Sequence, residues 1–152
     1  TMGFGMPTAI GAALANPEKT VLCFSGDGSI MMNIQELATA VEQQAKIKII
    51  LFDNRSLGLV RQQQALFYEK RFFASEYQHC VDFCTIAKGF GIKTWSVQDE
   101  TELLANLTAT INTDGPALIH IPINIEEDVF PMVPPGAANT TMIGGELTHE
   151  CA

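Results

Sequence analysis

VLCFSGDGS, residues 21–29, predicts a buried strand that ends in a polar turn. It opens with an apolar run without alternation, which is typical of a central parallel strand buried on both faces. The turn GDG at residues 26–28 follows, and a second apolar run ends in DN at residues 53–54. We therefore expect both polar turns at the carboxyl edge of one parallel sheet, where open α/β folds bind ligands.

The residue types at these two turns are those that a magnesium–diphosphate site requires. Mg2+ prefers oxygen ligands and is usually bound by one or two side chains together with phosphates, and Asp27 and Asn54 supply a carboxylate and an amide oxygen. Gly26 and Gly28 let the backbone approach an anion closely, and a helix predicted from Ser29 directs free N–H groups toward it. GDG alone is a common turn, but the 24 positions before the second turn fit one helix and one strand of a βαβ unit.

The spacing of the two turns resembles the fingerprint of thiamine-diphosphate-dependent enzymes, in which Gly-Asp-Gly is followed at a similar distance by Asn-Asn. The resemblance implies that Asp27 and Asn54 bind Mg2+ together with the backbone carbonyl of Ser56. Asp53 stands where the fingerprint has its first Asn. Because the second Asn is the family's ligand, we expect this departure to be tolerated.

Three further segments resemble the large catalytic subunit of acetolactate (acetohydroxyacid) synthase, namely TMGFGMP at residues 1–7, NRSLGLV at 54–60 and FPMVPPGA at 130–137. The likeness extends from Thr1 to about Gly145. It implies a transferase of branched-chain amino acid biosynthesis that uses thiamine diphosphate and Mg2+ to decarboxylate pyruvate and to condense it with a second 2-ketoacid. It also implies FAD in a middle domain of the full-length enzyme, outside this fragment, and a homodimer assembled through the cofactor site.

The same resemblance implies roles for residues around the two turns. Met2 matches the bulky side chain on which the cofactor bends. Gln63 matches a substrate-proximal position where many family members carry Trp, so we expect a weaker preference for 2-ketobutyrate. No catalytic residue is expected here, because the family's activating glutamate lies on the amino-terminal domain of a neighbouring subunit; the fragment alone is predicted to be inactive. The residues expected to contact the cofactor are Met2, Gly26, Asp27, Gly28, Ser29, Asn54, Leu57, Gly58 and Leu59.

The composition is that of one globular protein. The chain has 152 residues, of which 47% are hydrophobic, enough to bury a core. Nine basic against 17 acidic residues give a net charge of −8, which argues against a nucleic-acid partner, since phosphate surfaces require clustered Lys and Arg. The uncharged residues 1–17 are interrupted by glycine and proline, so we expect no membrane span. The scattered cysteines argue against a zinc site and favour a reduced, cytoplasmic protein.

Periodicity predicts alternating strands and helices, and hence an α/β fold with a doubly wound, mainly parallel sheet and helices on both faces. We expect a mobile or ligand-dependent loop at residues 65–78. The predicted strands cover residues 21–25, 47–52, 92–97 and 117–123, and the predicted helices cover 8–15, 29–44, 81–88 and 100–112, with a further helix starting within 55–64.

The chain divides into a diphosphate-binding domain, residues 1–125, and a proline-rich tail, residues 126–152. The prolines prevent the tail from joining the sheet. Its family counterpart folds over the active site when cofactor and substrate are bound. An active-site lid is therefore one expectation, and disorder in an isolated fragment is the other. Since the likeness begins inside the family sequence, the chain is interpreted as a carboxy-terminal fragment of a larger enzyme.

Three alternative functions remain open. Another thiamine-diphosphate-dependent 2-ketoacid decarboxylase or oxidase would share the two turns. Gly3, Gly5 and Gly11 suggest a dinucleotide-binding module, although their spacing is not Gly-x-Gly-x-x-Gly. A receiver-like signalling module would use Asp53 as phosphate acceptor but would leave GDG without a role.

The sequence does not decide whether a regulatory small subunit is a further partner. His120 lies inside a predicted buried strand and is expected to be structural.

Overall fold

The strands that the structure describes run parallel and form one sheet. The computed structural model describes residues 1–144. In chain order its elements are α1 (Gly5–Ala15), β1 (Val21–Gly26), α2 (Asp27–Ile30), α3 (Glu36–Glu42), β2 (Ile47–Asp53), α4 (Gly58–Phe67), α5 (Phe83–Gly89), β3 (Lys93–Ser96), α6 (Glu100–Ile111) and β4 (Ala117–Pro122). The strand order is β1-β2-β4-β3, and the predicted α/β class is confirmed.

Helices cover both faces of the sheet. Alternate residues of β2, Ile47, Ile49 and Leu51, are fully buried on one face, in one cluster with side chains of α1, α3 and α5. On the other face Ile50 packs with Leu107 of α6. Burial on both faces explains why β2 is an apolar run without alternation. Within residues 1–144, no helix combines the length and apolarity needed to cross a bilayer.

The strand register brings the two polar turns to the same edge of the sheet. Gly26, the last residue of β1, pairs with Phe52, and Asp53, the last residue of β2, pairs with Pro122. Asp27 follows β1 directly, just as residue 54 follows β2. Both turns therefore lie at the carboxyl edge, as predicted.

The prediction of one continuous helix over residues 29–44 is wrong, because the structure has two helices there. α2 ends after one turn at Ile30, and α3 begins at Glu36. Between them the backbone forms bonds three residues apart, such as that from the Asn33 N–H to the Ile30 carbonyl at 3.2 Å. The side-chain amide of Asn33 donates to the Gly3 carbonyl, which ties this break to the amino-terminal turn. Because a three-residue repeat still directs apolar side chains inward, the periodicity conceals the break.

Other element boundaries shift by a few residues. α1 begins at Gly5, and Pro7 lies in its first turn, where a missing N–H is tolerated. α5 begins at Phe83 because the Asp82 carboxylate caps it, accepting the Thr85 N–H at 2.8 Å. β3 is two residues shorter than predicted.

The segment predicted as a loop is irregular only in its second part. α4 continues to Phe67, and no helix or strand is assigned between it and α5. Glu69 and Lys70 adopt left-handed backbone angles, φ 55° and 57°, which reverse the chain. Ser75 is fully buried and donates its hydroxyl to Gln64 Oε1 at 2.6 Å. The segment is thus attached to α4, and its mobility stays a prediction.

The proline-rich tail adds no strand to the sheet within residues 126–144. It folds back on itself where Met132 and Ile143 exchange backbone hydrogen bonds of 3.0 and 2.9 Å. Val129 is hydrogen-bonded to α4. The disorder expected for an isolated fragment and the role as a lid both stay predictions. Residues 145–152 lie outside the described residues.

Candidate functional site

Asp27 is a buried carboxylate with one unpartnered oxygen. It is the first residue of α2 and is only 3% exposed. Its Oδ1 accepts the Gly28 N–H at 2.6 Å, whereas Oδ2 has no hydrogen-bond partner among residues 1–144. Burial, and after it the neighbouring carboxyl of Asp53, raises the pKa of Asp27 to about 6. A buried carboxylate oxygen without a protein partner is costly, and a proton, a cation or a water molecule would satisfy it.

Asp53 has the opposite environment, because both of its oxygens have donors. Oδ1 accepts the Arg55 N–H at 2.9 Å, and Oδ2 lies 2.8 Å from His120 Nε2. Burial alone would raise the pKa of Asp53, but the hydrogen bonds from His120 and the Arg55 N–H, together with the neighbouring Asp27 carboxyl, outweigh it and lower the pKa. On the far side of the imidazole, Ser96 Oγ lies 3.3 Å from Nδ1. His120 thus holds the carboxylate that departs from the fingerprint.

The turn after β2 is shaped by a hydrogen bond that the Asn54 side chain accepts from the backbone. Asn54 Oδ1 accepts the Ser56 N–H at 3.1 Å, and Arg55 between them is left-handed, with φ 55°. The Leu57 N–H donates to the Ser75 carbonyl at 2.8 Å, which fixes this turn to the irregular segment. Ser56 is only 2% exposed, and its Oγ has no partner in the described chain. The turn is therefore held by the Asn54 side chain and by the Ser75 carbonyl.

The two turns open on a cavity of about 420 Å³. Gln63, the predicted substrate-proximal residue, lines a separate cavity of about 410 Å³ with Tyr68 and Arg71. Val60 lines both cavities, so the two are neighbours. Every residue expected to contact the cofactor or the metal lines the first cavity: Met2, Gly26, Asp27, Gly28, Ser29, Asn54, Ser56, Leu57, Gly58 and Leu59.

The amino-terminal turn is held at this cavity by Ser29. The Gly3 N–H donates to Ser29 Oγ at 3.0 Å, which positions the segment carrying Met2. A Cβ placed on Gly28 would stand 2.8 Å from Tyr77 Oη and 3.3 Å from Met2 Cε. Glycine at this position therefore lets the Tyr77 and Met2 side chains approach the backbone more closely than any Cβ would allow. The helix dipole expected at Ser29 contributes little, because α2 has only four residues.

The donor types around the cavity fit Mg2+ bound jointly with a diphosphate. Asp27 contributes a buried oxygen without a described partner, and Asn54, whose Oδ1 accepts the Ser56 N–H, and Ser56 line the same cavity. One carboxylate with neutral oxygens is too small a set for an all-protein cage. It is typical of Mg2+ that keeps waters and phosphate oxygens as its other ligands.

Several lining residues were missed in the sequence. Ile123 directly follows β4, so its place at the carboxyl edge was predictable, and its N–H donates to the Asp53 carbonyl at 2.9 Å. Glu127 and Val129 belong to the tail, where no periodic pattern indicated a path. Phe52, Val60 and Gln62 also line the cavity.

Comparison with known proteins places the chain among thiamine-dependent enzymes. It is 61% identical over 144 residues to the acetolactate synthase isozyme 1 large subunit of Escherichia coli (strain K12), covering 95% of this chain and 26% of that protein. It is 46% identical over 143 residues to isozyme 2, with 94% and 26% covered. The solved structure of the Rhodococcus jostii RHA1 thiamine diphosphate-dependent 4-hydroxybenzoylformate decarboxylase superposes with a TM-score of 0.75 at 28% identity, covering 81% of this chain and 23% of the other. The chain thus spans about a quarter of the length of these relatives.

Residues 1–121 match the family described as "Thiamine pyrophosphate enzyme, C-terminal TPP binding domain", where TPP is thiamine diphosphate. This match confirms the resemblance inferred from the two turns. It decides against the dinucleotide-binding and receiver-like alternatives. The chain belongs to the thiamine pyrophosphate enzymes and carries their C-terminal TPP-binding domain.

Proposed function

We propose that this chain is the cofactor-binding domain of an acetolactate synthase large subunit, in which Asp27, Asn54 and the Ser56 carbonyl hold Mg2+. The observation that carries the proposal is the unpartnered Oδ2 of buried Asp27, beside a cavity that Asn54 and Ser56 also line. The choice of activity is supported by identity of 61% to an acetolactate synthase, against 28% to a 4-hydroxybenzoylformate decarboxylase. Pyruvate and a second 2-ketoacid are the corresponding substrates.

The domain's contribution is to bind and orient the cofactor. Bound thiamine diphosphate supplies the electron sink for 2-ketoacid decarboxylation. Asp27 and Asn54 would hold Mg2+, and the charge of Mg2+ would compensate the diphosphate. Met2, held through the contact between Gly3 and Ser29, would support the bent cofactor.

Further parts of the whole enzyme are proposed from the same family. FAD and the activating glutamate are expected in the three-quarters of the protein that this chain does not span, so the chain alone is expected to be inactive. A homodimer formed through the cofactor site is supported by apolar side chains exposed there, since Met2 and Leu59 are 44% and 56% exposed. The relatives' name "large subunit" is consistent with a regulatory small subunit. The free thiols of Cys23, Cys80 and Cys84 are consistent with the cytoplasm.

A hybrid enzyme tests this proposal. In it, this chain replaces the matching residues of the E. coli isozyme 1 large subunit. We expect acetolactate to form from pyruvate only when thiamine diphosphate and Mg2+ are both added, and none to form with the isolated chain. A hybrid that folds and binds both ligands but produces no acetolactate would contradict the activity. Acetolactate made by the isolated chain would contradict the expectation that the activating glutamate lies outside this chain.

Gly58→Ala is expected to weaken Mg2+-dependent thiamine diphosphate binding by the hybrid about tenfold, or about 1.4 kcal/mol. The added Cβ would stand 2.8 Å from Asn54 Nδ2, so the amide must turn away. Backbone strain is not the reason, because Gly58 begins α4 and Ala favours helices. Isothermal titration measures the affinity. Gly11→Ala, in α1 with no atom within 4 Å of its Cβ, is the matched control; equal affinities in both variants would refute the role of Asn54.

Gln63→Trp is expected to raise the hybrid's preference for 2-ketobutyrate over pyruvate roughly fourfold. The larger substrate has one more methylene, and covering it with apolar surface contributes about 0.8 kcal/mol. The ring would add apolar surface beside Val60 and Tyr68. The measurement is the product ratio with both ketoacids present. Gln63→Leu separates the effect of the ring from loss of the amide, and an unchanged ratio in Gln63→Trp would argue against a substrate-proximal position.

A further inference from the structure

Two glutamines on α4, Gln62 and Gln64, are hydrogen-bonded to different segments of the chain. Gln62 is fully buried, and its amide is paired with the backbone of Val129 in the tail: Nε2 donates to the Val129 carbonyl at 2.9 Å, and the Val129 N–H donates to Oε1 at 3.2 Å. Gln64 binds the irregular segment on another side, where Nε2 donates to the Phe73 carbonyl at 2.9 Å and Oε1 accepts the Phe73 N–H at 3.3 Å. Each amide pairs its donor and its acceptor with one backbone position, and Gln64 Oε1 also accepts the Ser75 hydroxyl.

The Gln62 pair is the tail's attachment point. Within the described chain, the two bonds between Gln62 and Val129 are the hydrogen bonds that connect residues 124–144 to the rest of the fold. The other bonds of this segment are internal, including those between Met132 and Ile143. Val129 itself is 61% exposed, so side-chain burial at this residue contributes little to the attachment. The tail is therefore held at this point by one buried amide.

The attachment lies at the cofactor cavity. Gln62, Glu127 and Val129 all line it, so the tail forms part of its wall. If the two bonds between Gln62 and Val129 were lost, the tail would have no described hydrogen bond to α4. We propose that Gln62 is a positioning residue that fixes the tail as a wall of the cofactor cavity. The proposal rests on the proposed function for the nature of the ligand, but not for the attachment.

Glutamine suits this role because a primary amide matches a peptide group. Its donor and acceptor lie side by side and meet the carbonyl and N–H of one residue. Because Gln62 is buried, the loss of either hydrogen bond would leave a buried polar group unpaired, which costs free energy. Methionine at residue 62 would retain the volume and lose both bonds. Glutamate would retain an acceptor for the Val129 N–H but would repel the Val129 carbonyl.

Hydrogen exchange in the cofactor-free hybrid tests the attachment directly, because the Val129 amide is one of the two donors. We expect Gln62→Met to speed exchange at Val129 by about tenfold or more, with Gln62→Glu between it and the parent. Gln64→Met is the matched control and should speed exchange at Phe73 and leave Val129 unchanged. Unchanged exchange at Val129 in a folded Gln62→Met hybrid would overturn the proposal. So would equal acceleration of Val129 and Phe73 in both variants, which would indicate general loosening of α4.

Cofactor kinetics provide the second readout. We expect Gln62→Met to raise the KM for thiamine diphosphate about fivefold or more, with kcat at saturating cofactor within about twofold, since excess cofactor restores the closed wall. Val129→Pro removes the tail's donor without touching the core and should raise KM in the same way. Gln43→Met, on an exposed residue of the α3 C-terminus, should change neither. A fall in kcat with constant KM in both tail variants would overturn positioning. A hybrid that binds no thiamine diphosphate would sink the proposed function and leave the exchange result standing.

Discussion

Asp27→Asn is expected to weaken Mg2+-dependent binding of thiamine diphosphate by the hybrid enzyme about 100-fold or more, which corresponds to about 2.7 kcal/mol. Asp27 supplies the negatively charged oxygen among the proposed ligands, and its Oδ2 has no described partner to lose. A neutral amide keeps the shape but removes the charge that compensates Mg2+. Isothermal titration at fixed Mg2+ measures the loss.

The same substitution is expected to stabilise the protein when Mg2+ is removed. The folded pKa of Asp27, about 6, lies above its ordinary value of 3.8. Ionisation of Asp27 therefore opposes folding increasingly as pH rises from about 4 to 6, and the penalty is complete above that range. Two pKa units correspond to about 3 kcal/mol, which is the upper limit of the expected gain. Urea unfolding in EDTA at pH 7.5, compared with pH 5, measures this gain.

Asp82→Asn is the matched control for both effects. Asp82 caps α5 from outside the cavity, and Asn is an equally good cap, so affinity and stability should both stay close to those of the parent. If Asp27→Asn lost affinity and metal-free stability together, the side chain would be a structural residue. The metal-ligand interpretation requires the two to move in opposite directions.

Lys48→Met is expected to lower the free energy of unfolding by about 2–3 kcal/mol. Lys48 lies in β2 and is only 2% exposed, yet it carries an ammonium group. Its Nζ donates to the carbonyls of Thr113 and Gly115, in the turn between α6 and β4. Methionine would retain the buried stem and leave both carbonyls without this donor. Relief of the ammonium's desolvation offsets part of the loss, which keeps the effect below the sum of two charged bonds.

Thermal unfolding of this chain measures the effect, which corresponds to a drop of about 5–10 °C in Tm for a unit of 152 residues. Lys46→Met is the matched control, because Lys46 lies two residues away and is exposed; its Tm should change by less than about 1 °C. A Lys48→Met variant as stable as the parent would mean that water satisfies the two carbonyls. The turn at Gly115, which has φ 72°, would then hold without the lysine.

The half of the site around Asp27 and Asn54 was predictable because its signals are local. Each strand is one apolar run, each turn follows a strand directly, and parallel pairing then brings the turns together. The break between α2 and α3 was not predictable from periodicity. It depends on the contact of Asn33 with Gly3, and a three-residue repeat imitates a helical one.

The remainder of the site depends on contacts between distant parts of the chain. His120 meets Asp53 from 67 positions away, and Val129 meets Gln62 at the same separation. No local pattern indicates such pairs. His120 was expected to be structural, which stays a prediction, and the sequence did not indicate that its partner would be Asp53, the residue departing from the fingerprint. Gln62 differs from its neighbours Gln63 and Gln64 only in the direction it faces.

The order of strands in the sheet has a consequence for how the protein acquires its shape. β2 pairs with β1 across 26 positions, Val21 with Ile47, and with β4 across 69 positions, Lys48 with Ala117. Pairings between nearby segments close smaller loops and form sooner. During synthesis from the amino terminus, the sheet edge that carries Asp27 and Asn54 is therefore expected to assemble while the second half of the chain is still being made. The tail, joined through a single side chain, is expected to settle last.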